Sequence, residues 1–140
     1  MIILDTNVLS ALMQQQPDSQ VVAWLDQQPA LSIWISSITL FEARYGLALL
    51  ATSQRKRKLQ ERFEELLQSE LENRVLQFDE NAAAEAAQLA AGRKRSGRPV
   101  DMRDTFLAGI AMARQATLAT RNTKHFQDLA ITVINPWSPA

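Results

Sequence analysis

Asp5, Glu42 and Asp104 are the side chains of this sequence best placed to act together, and their shared chemistry is the binding of a hard divalent cation. The chain has no Cys and one His, which excludes thiolate sites and multi-histidine zinc sites. Oxygen ligands remain, and they favour Mg²⁺, with Mn²⁺ as a substitute. Asp5 ends the apolar run Ile2–Leu4. Glu42 lies about one turn into a helix opened by Ser37 or Thr39. Asp104 is near the start of a helix predicted over Met102–Arg114, and Asn122 follows the short apolar segment Thr117–Ala119. In an open parallel sheet, ligands bind beyond the carboxyl ends of the strands. Several oxygen donors would then gather along one edge. Like charges there cost on the order of a few kcal/mol per partly buried pair unless a cation sits between them.

Each acid also has a structural reading. Asp5 can cap the first helix, and Thr39-x-x-Glu42 matches a capping box in which the glutamate reaches back to a backbone N–H. Asp101-x-x-Asp104 is an imperfect version, because Asp reaches the cap amide poorly. Asp101 itself reads as an N-cap. His125 has no partner evident in the sequence and reads as a surface residue. Trp24, Trp34 and Trp137 read as core or interface, and the Leu59–Leu71 stripe as core or subunit packing.

The elements that must position these acids follow from hydrophobic spacing. Ile2–Leu4, Leu31–Ser36, Val75–Phe78, Thr117–Ala119 and Ile131–Ile134 read as short strands. Helices are predicted over Asn7–Met13, over Gln20–Gln28 after a Ser19 cap, from Ser37 or Thr39 to about Leu50, and over Gln54–Glu72. Asn81–Gly92 and Met102–Arg114 complete the set, with a helical turn near Lys124–Asp128. Nearly all-apolar strands alternating with helices predict an α/β sandwich around a parallel sheet. A single domain over 1–140 is expected, since no linker or repeat divides the 140 residues.

Lys+Arg and Asp+Glu are 15 each, so net charge says nothing about a polyanionic partner. Distribution says more. Basic residues cluster at Arg55–Lys58 and at Arg93, Lys94, Arg95 and Arg98, a stretch read as a cationic loop just before the Asp101/Asp104 helix. Such a loop could hold a phosphate backbone beside an acidic pocket, or could simply be solvated. No window approaches a membrane span, and no basic start precedes a long apolar run. The expectation is a cytoplasmic protein without membrane contact.

Four segments together (IILDTNVLSAL, ISSITLFEARYGL, RPVDMRDTFLAGIAMA and LATRNTKHFQDLAITVINPW) resemble the PIN-domain ribonucleases, and more narrowly the VapC toxins of type II toxin–antitoxin modules. The resemblance spans nearly the whole chain. It implies a three-layer sandwich with a five-stranded parallel sheet and helices on both faces. It also implies a Mg²⁺-dependent endoribonuclease acting on RNA, a homodimer, and a cognate antitoxin whose tail occupies the active-site groove. Asp5, Glu42 and Asp104 match the three acids of the family motif. Asn122 falls where many members carry a fourth Asp; the substitution removes one charge. Thr6 and Thr120 match hydroxyl positions flanking the site.

On this reading Asp5 and Asp104 are direct ligands, Glu42 is a ligand or a base that orients water, and Asn122 orients water. The expected products are a 5′-phosphate and a 3′-hydroxyl. Two other readings stay open. One is a non-catalytic module of the same fold that binds protein or RNA, which the Asn122 departure favours. The other is a receiver-type domain with Asp5 as phosphoacceptor, against which Thr6-Asn7 offers no second acid.

Overall fold

The computed structural model describes residues 1–139; Ala140, the last residue of the expected domain, lies outside them. The chain alternates strand and helix as its spacing predicts. Strand β1 (Ile2–Leu4) leads to α1 (Thr6–Met13) and α2 (Ser19–Asp26). Strand β2 (Ile33–Ser36) leads to α3 (Ser37–Leu49) and α4 (Gln54–Glu65), and α4 continues as a π-helical turn over Leu66–Glu70. Strand β3 (Val75–Leu76) is followed by α5 (Glu80–Arg95) and α6 (Met102–Arg114). Strand β4 (Thr117–Ala119), a 3-10 turn (Thr123–Phe126) and β5 (Val133–Ile134) complete the order.

The strands form a five-stranded sheet in the order β3-β2-β1-β4-β5, with every pairing parallel. Successive strand side chains face opposite ways, so β1 feeds two cores. Leu4 joins Val8, Leu9, Val21, Trp24 and Phe63 under α1–α4, while Ile3 joins Leu107, Ile110, Leu118 and Phe126 under α5 and α6. This is the three-layer α/β sandwich that the sequence implies. The strand order reverses between β1 and β4, and such a reversal opens a crevice at the carboxyl edge. Among the described residues no helix is long and apolar enough to cross a membrane.

Element ends differ from expectation for identifiable reasons. Strand β2 begins at Ile33 because Ala30–Ser32 closes a 3-10 turn, leaving Leu31 exposed. Helix α2 is capped by Asp18, whose carboxylate accepts from the Gln20 and Val21 amides, so Ser19 is already helical. The basic stretch is not a loop from Arg93: α5 runs through Gly92 to Arg95. Its stop is Gly97, at φ +71°. The Arg98 N–H donates to the Arg93 carbonyl (2.9 Å) and the Gly97 N–H to that of Lys94 (3.1 Å), a Schellman closure that needs a left-handed residue at Gly97. Gly92 lies in open space within an alanine-rich helix and carries no such demand.

Helices α5 and α6 meet closely at Gly109, where a Cβ would stand 2.5 Å from the Ala82 carbonyl oxygen and 2.7 Å from the Ala86 Cβ. Gly109→Ala should therefore destabilise the fold. Overpacking costs about 1–3 kcal/mol, and the opposing gain in helix propensity is about 1 kcal/mol at most. Thermal melting should show a Tm lower by several degrees; an unchanged or higher Tm would mean that α5 yields.

Candidate active site

The carboxyl ends of β1 and β4 fix the middle of the site. Asp5, the residue after β1, is 6% exposed. Its Oδ1 accepts the Thr6 amide at 2.7 Å, and its Oδ2 accepts the Thr120 hydroxyl at 2.8 Å. Thr120 is the residue after β4 and is fully buried. Asn7 spans the same gap: its Nδ2 lies 3.3 Å from both Asp5 Oδ2 and Thr120 Oγ1, and its Oδ1 accepts the Arg121 amide. Asp5 thus caps α1 through a short contact to Thr6 and also faces the crevice. Asn122 begins the turn beyond β4, its amide donating to Thr120 Oγ1.

Glu42 comes from α3. The helix is capped by Ser36, whose hydroxyl accepts from the Thr39 amide, so Thr39 is helical and buried rather than a cap. The capping-box reading of Glu42 fails for that reason. Instead Glu42 Oε1 accepts the Thr6 hydroxyl at 2.7 Å, and Oε2 lies 3.3 Å from Arg103 Nη1. Asp104 comes from α6. Asp101 caps that helix by accepting the Asp104 amide at 3.0 Å, as its sequence position suggests. The Asp104 side chain turns away from the cap, and its Oδ2 is 2.8 Å from His125 Nδ1.

His125 does lie at the surface, its side chain 55% exposed, but it is not without a partner: its ring is hydrogen-bonded to Asp104. Arg103 was also missed. Its guanidinium stands 5.8 Å from the Phe41 ring centroid and 5.9 Å from that of Tyr45, beside Glu42. A signal for His125 existed, since it lies three residues beyond Asn122 at the same sheet edge; for Arg103, neighbouring Asp104 on the exposed first turn of α6 was the hint.

Burial raises the Asp5 pKa above the ordinary carboxylate value; hydrogen bonds from Thr120 and Thr6 oppose it, while the Asp104 and Glu42 charges add to it. Asp104 is raised as well, first by burial, with the His125 bond opposing and the Asp101 and Glu42 charges adding. The three acids therefore sense one another across a shared crevice. Their donors are all oxygen, which fits a hard divalent ion, and such an ion would relieve the repulsion. As placed, no three His, Cys, Asp or Glu side chains among the described residues stand close enough to hold a metal together. The acids point instead at Thr6, Arg103, His125 and Thr120. A bound ion would need these carboxylates to close up around it, and the hydrogen bonds of Glu42 to Thr6 and of Asp104 to His125 each engage only one carboxylate oxygen.

The basic residues divide sharply. Arg93 is 6% exposed and donates to both oxygens of Asp128, at 2.9 Å each. It is removed from the surface that a phosphate could reach, because a buried guanidinium must be paired. Arg98 also donates to Asp128 but is 44% exposed, and Lys94 and Arg95 are exposed.

A family model described as the PIN domain matches residues 2–131. The chain is 40% identical to VapC ribonuclease Y4jK of Sinorhizobium fredii over 140 residues, all of both chains. The crystal structure of FitAcB from Neisseria gonorrhoeae superposes with a TM-score of 0.88 at 39% identity, covering 98% of this chain and 99% of that one. VapBC-5 from Mycobacterium tuberculosis, of the VapBC family of toxin-antitoxin systems, matches with a TM-score of 0.66 at 26% identity, covering 94% and 93%.

The raised Asp5 pKa has a consequence for stability. A carboxyl whose folded pKa lies above its unfolded one favours the fold while protonated, so the contribution is full below the unfolded value and is lost as pH rises through the folded one. Asp5→Asn, neutral at every pH, should melt no lower than the parent at pH 7 without added metal. The difference between the two should close as pH falls toward the ordinary carboxylate range. A melt lower at neutral pH would mean that the Thr6 and Thr120 hydrogen bonds outweigh the buried charge.

Proposed function

The chain belongs to the PIN-domain family, and from that membership we propose that it is an endoribonuclease toxin of the VapC type, hydrolysing RNA phosphodiesters with a divalent metal. The observation that carries this reading is the gathering of Asp5, Glu42 and Asp104 at the strand-order reversal, the place where a parallel α/β sheet binds ligands, with the pKa values of Asp5 and Asp104 raised first by burial. Relatives described as a ribonuclease and as a toxin–antitoxin member support it.

Asp5 and Asp104 are proposed as the direct ligands, and Glu42 as a ligand or a base that orients water. Mg²⁺ is the proposed ion, with Mn²⁺ as a substitute. When bound, such an ion supplies an activated water and neutralises charge on the departing oxygen. The residues around the acids set their aim. The Thr6 hydroxyl fixes one oxygen of Glu42, and the Thr120 hydroxyl fixes one oxygen of Asp5. Asn122, at the rim of the same crevice, orients water without adding a fourth charge. Lys94, Arg95 and the partly exposed Arg98, whose guanidinium also meets Asp128, remain as candidate phosphate contacts.

The reading also includes a cognate antitoxin and a homodimer. Phe41, Tyr45 and Leu49 lie one turn apart on α3 and are exposed, as is Met102 at the start of α6. An apolar stripe of this kind marks a protein contact, and it is the support for a second copy. An apolar cavity of about 270 Å³ lined by Leu9, Leu12, Leu25 and Leu71 offers a partner segment a separate foothold.

Purified protein incubated with total RNA should cut internally when Mg²⁺ or Mn²⁺ is present and stop when a chelator is added, leaving 5′-phosphate and 3′-hydroxyl ends. Asp104→Asn should lower the rate roughly 100-fold or more. Absence of chelator-sensitive cutting would favour the non-catalytic module instead. Replacing Lys94 and Arg95 with Ala should flatten the salt dependence of RNA binding by roughly 0.7 in log–log slope per lost contact; an unchanged slope would leave these side chains merely solvated.

A further inference from the structure

We propose that Arg93 and Asp128 are positioning residues of the acidic site, their ion pair holding the Thr123–Phe126 turn where His125 meets Asp104. The effect on catalysis rests on the nuclease reading above; the effect on geometry does not. The connection is continuous. Arg93 Nε and Nη2 take both Asp128 oxygens at 2.9 Å, and Nη2 also donates to the His125 carbonyl at 2.8 Å. The ring of that same His125 bonds Asp104 at 2.8 Å.

Two helices and a turn are tied together in this way. Helix α6 carries Asp104, α5 carries Arg93, and the turn carries His125. Helices α5 and α6 are held in fixed relation by the close contact at Gly109. The turn has less to hold it. It is four residues of 3-10 geometry, whose own hydrogen bonds are poorly aligned, with Phe126 buried at one end. Beside it Arg93 ties the His125 carbonyl and Asp128, just beyond the turn, to α5, and Arg98 closes the loop after α5 onto the same Asp128 carboxylate.

A buried guanidinium must satisfy its remaining donors, and here one of them is spent on the backbone of the residue whose ring contacts Asp104, which couples the ion pair to the position of that ring. Partners that orient metal-ligating side chains ordinarily change activity or metal affinity by about 10- to 100-fold when removed. Arg93 and Asp128 act one step further out, through His125. Arg93→Lys keeps the charge but loses the planar fork that spans both oxygens and the carbonyl, and Asp128→Asn keeps the shape but loses the ion pair.

The test combines steady-state cleavage of an RNA oligonucleotide spanning a mapped cut with NMR of the His125 ring nitrogens in metal-free protein and thermal melts. In Arg93→Lys and Asp128→Asn, kcat should fall roughly tenfold or more while KM for RNA stays within about twofold. The His125 ring signals should lose the signature of the Asp104 bond. His125→Gln should reproduce the kcat loss, and combining it with Arg93→Lys should add little. Folded variants that keep both kcat and the ring signature would overturn the proposal, as would failure of both variants to fold, which would assign the pair to stability alone. If the parent protein cuts no RNA, the nuclease reading falls separately, and the ring signature decides the positioning by itself: lost in the folded variants it stands, kept it falls.

Discussion

Partly buried carboxylates that share a crevice repel, and the surroundings of Asp5, Glu42 and Asp104 are arranged around that repulsion. Each acid is given a hydrogen-bond donor from a different element: Thr120 from the end of β4, Thr6 from the start of α1, His125 from the turn beyond β4. Hydrogen-bond donors of this kind soften the charge without cancelling it. Arg103 is the exception, and its contact with Glu42 is long at 3.3 Å and half-exposed, a geometry in which an ion pair contributes little.

The backbone makes this arrangement possible. A parallel sheet whose order reverses between β1 and β4 leaves a gap that no crossover helix covers, and the residues immediately after both strands line it. The side chains of β1 alternate into two separate cores, so the strand carrying Asp5 is clamped from both faces. Rigid placement matters because carboxylates that could swing apart would relieve their repulsion without a metal. The glycine-mediated contact of α5 on α6 serves the same end for Asp104, and the Arg93–Asp128 pair extends it to the turn carrying His125.

Much of this was legible in the residues themselves. The strand and helix order, the parallel sheet and the Asp101 cap follow from spacing over a few positions, and α6 and β4 begin and end where the pattern places them. The errors are equally local in origin. Gly92 looked like a helix stop because glycine commonly is one, yet the demand for a left-handed residue falls at Gly97. Thr39 looked like a cap, but Ser36 took that role, and Glu42 was released to meet Thr6.

Sequence alone determined which chemistry was available: an all-oxygen donor set, acids at strand ends and helix starts, and a hydrophobic period fitting a parallel sheet. Tertiary structure decided which partners those acids received. Thr120 meets Asp5 across 115 positions, Thr6 meets Glu42 across 36, and His125 meets Asp104 across 21. It also decided that Arg93, one of a run of cations in the sequence, should be buried on Asp128. Caps and periodicities are set by neighbours within a turn of chain, whereas these pairings depend on how whole elements pack, and a charge run has the same composition whether it faces water or a buried carboxylate.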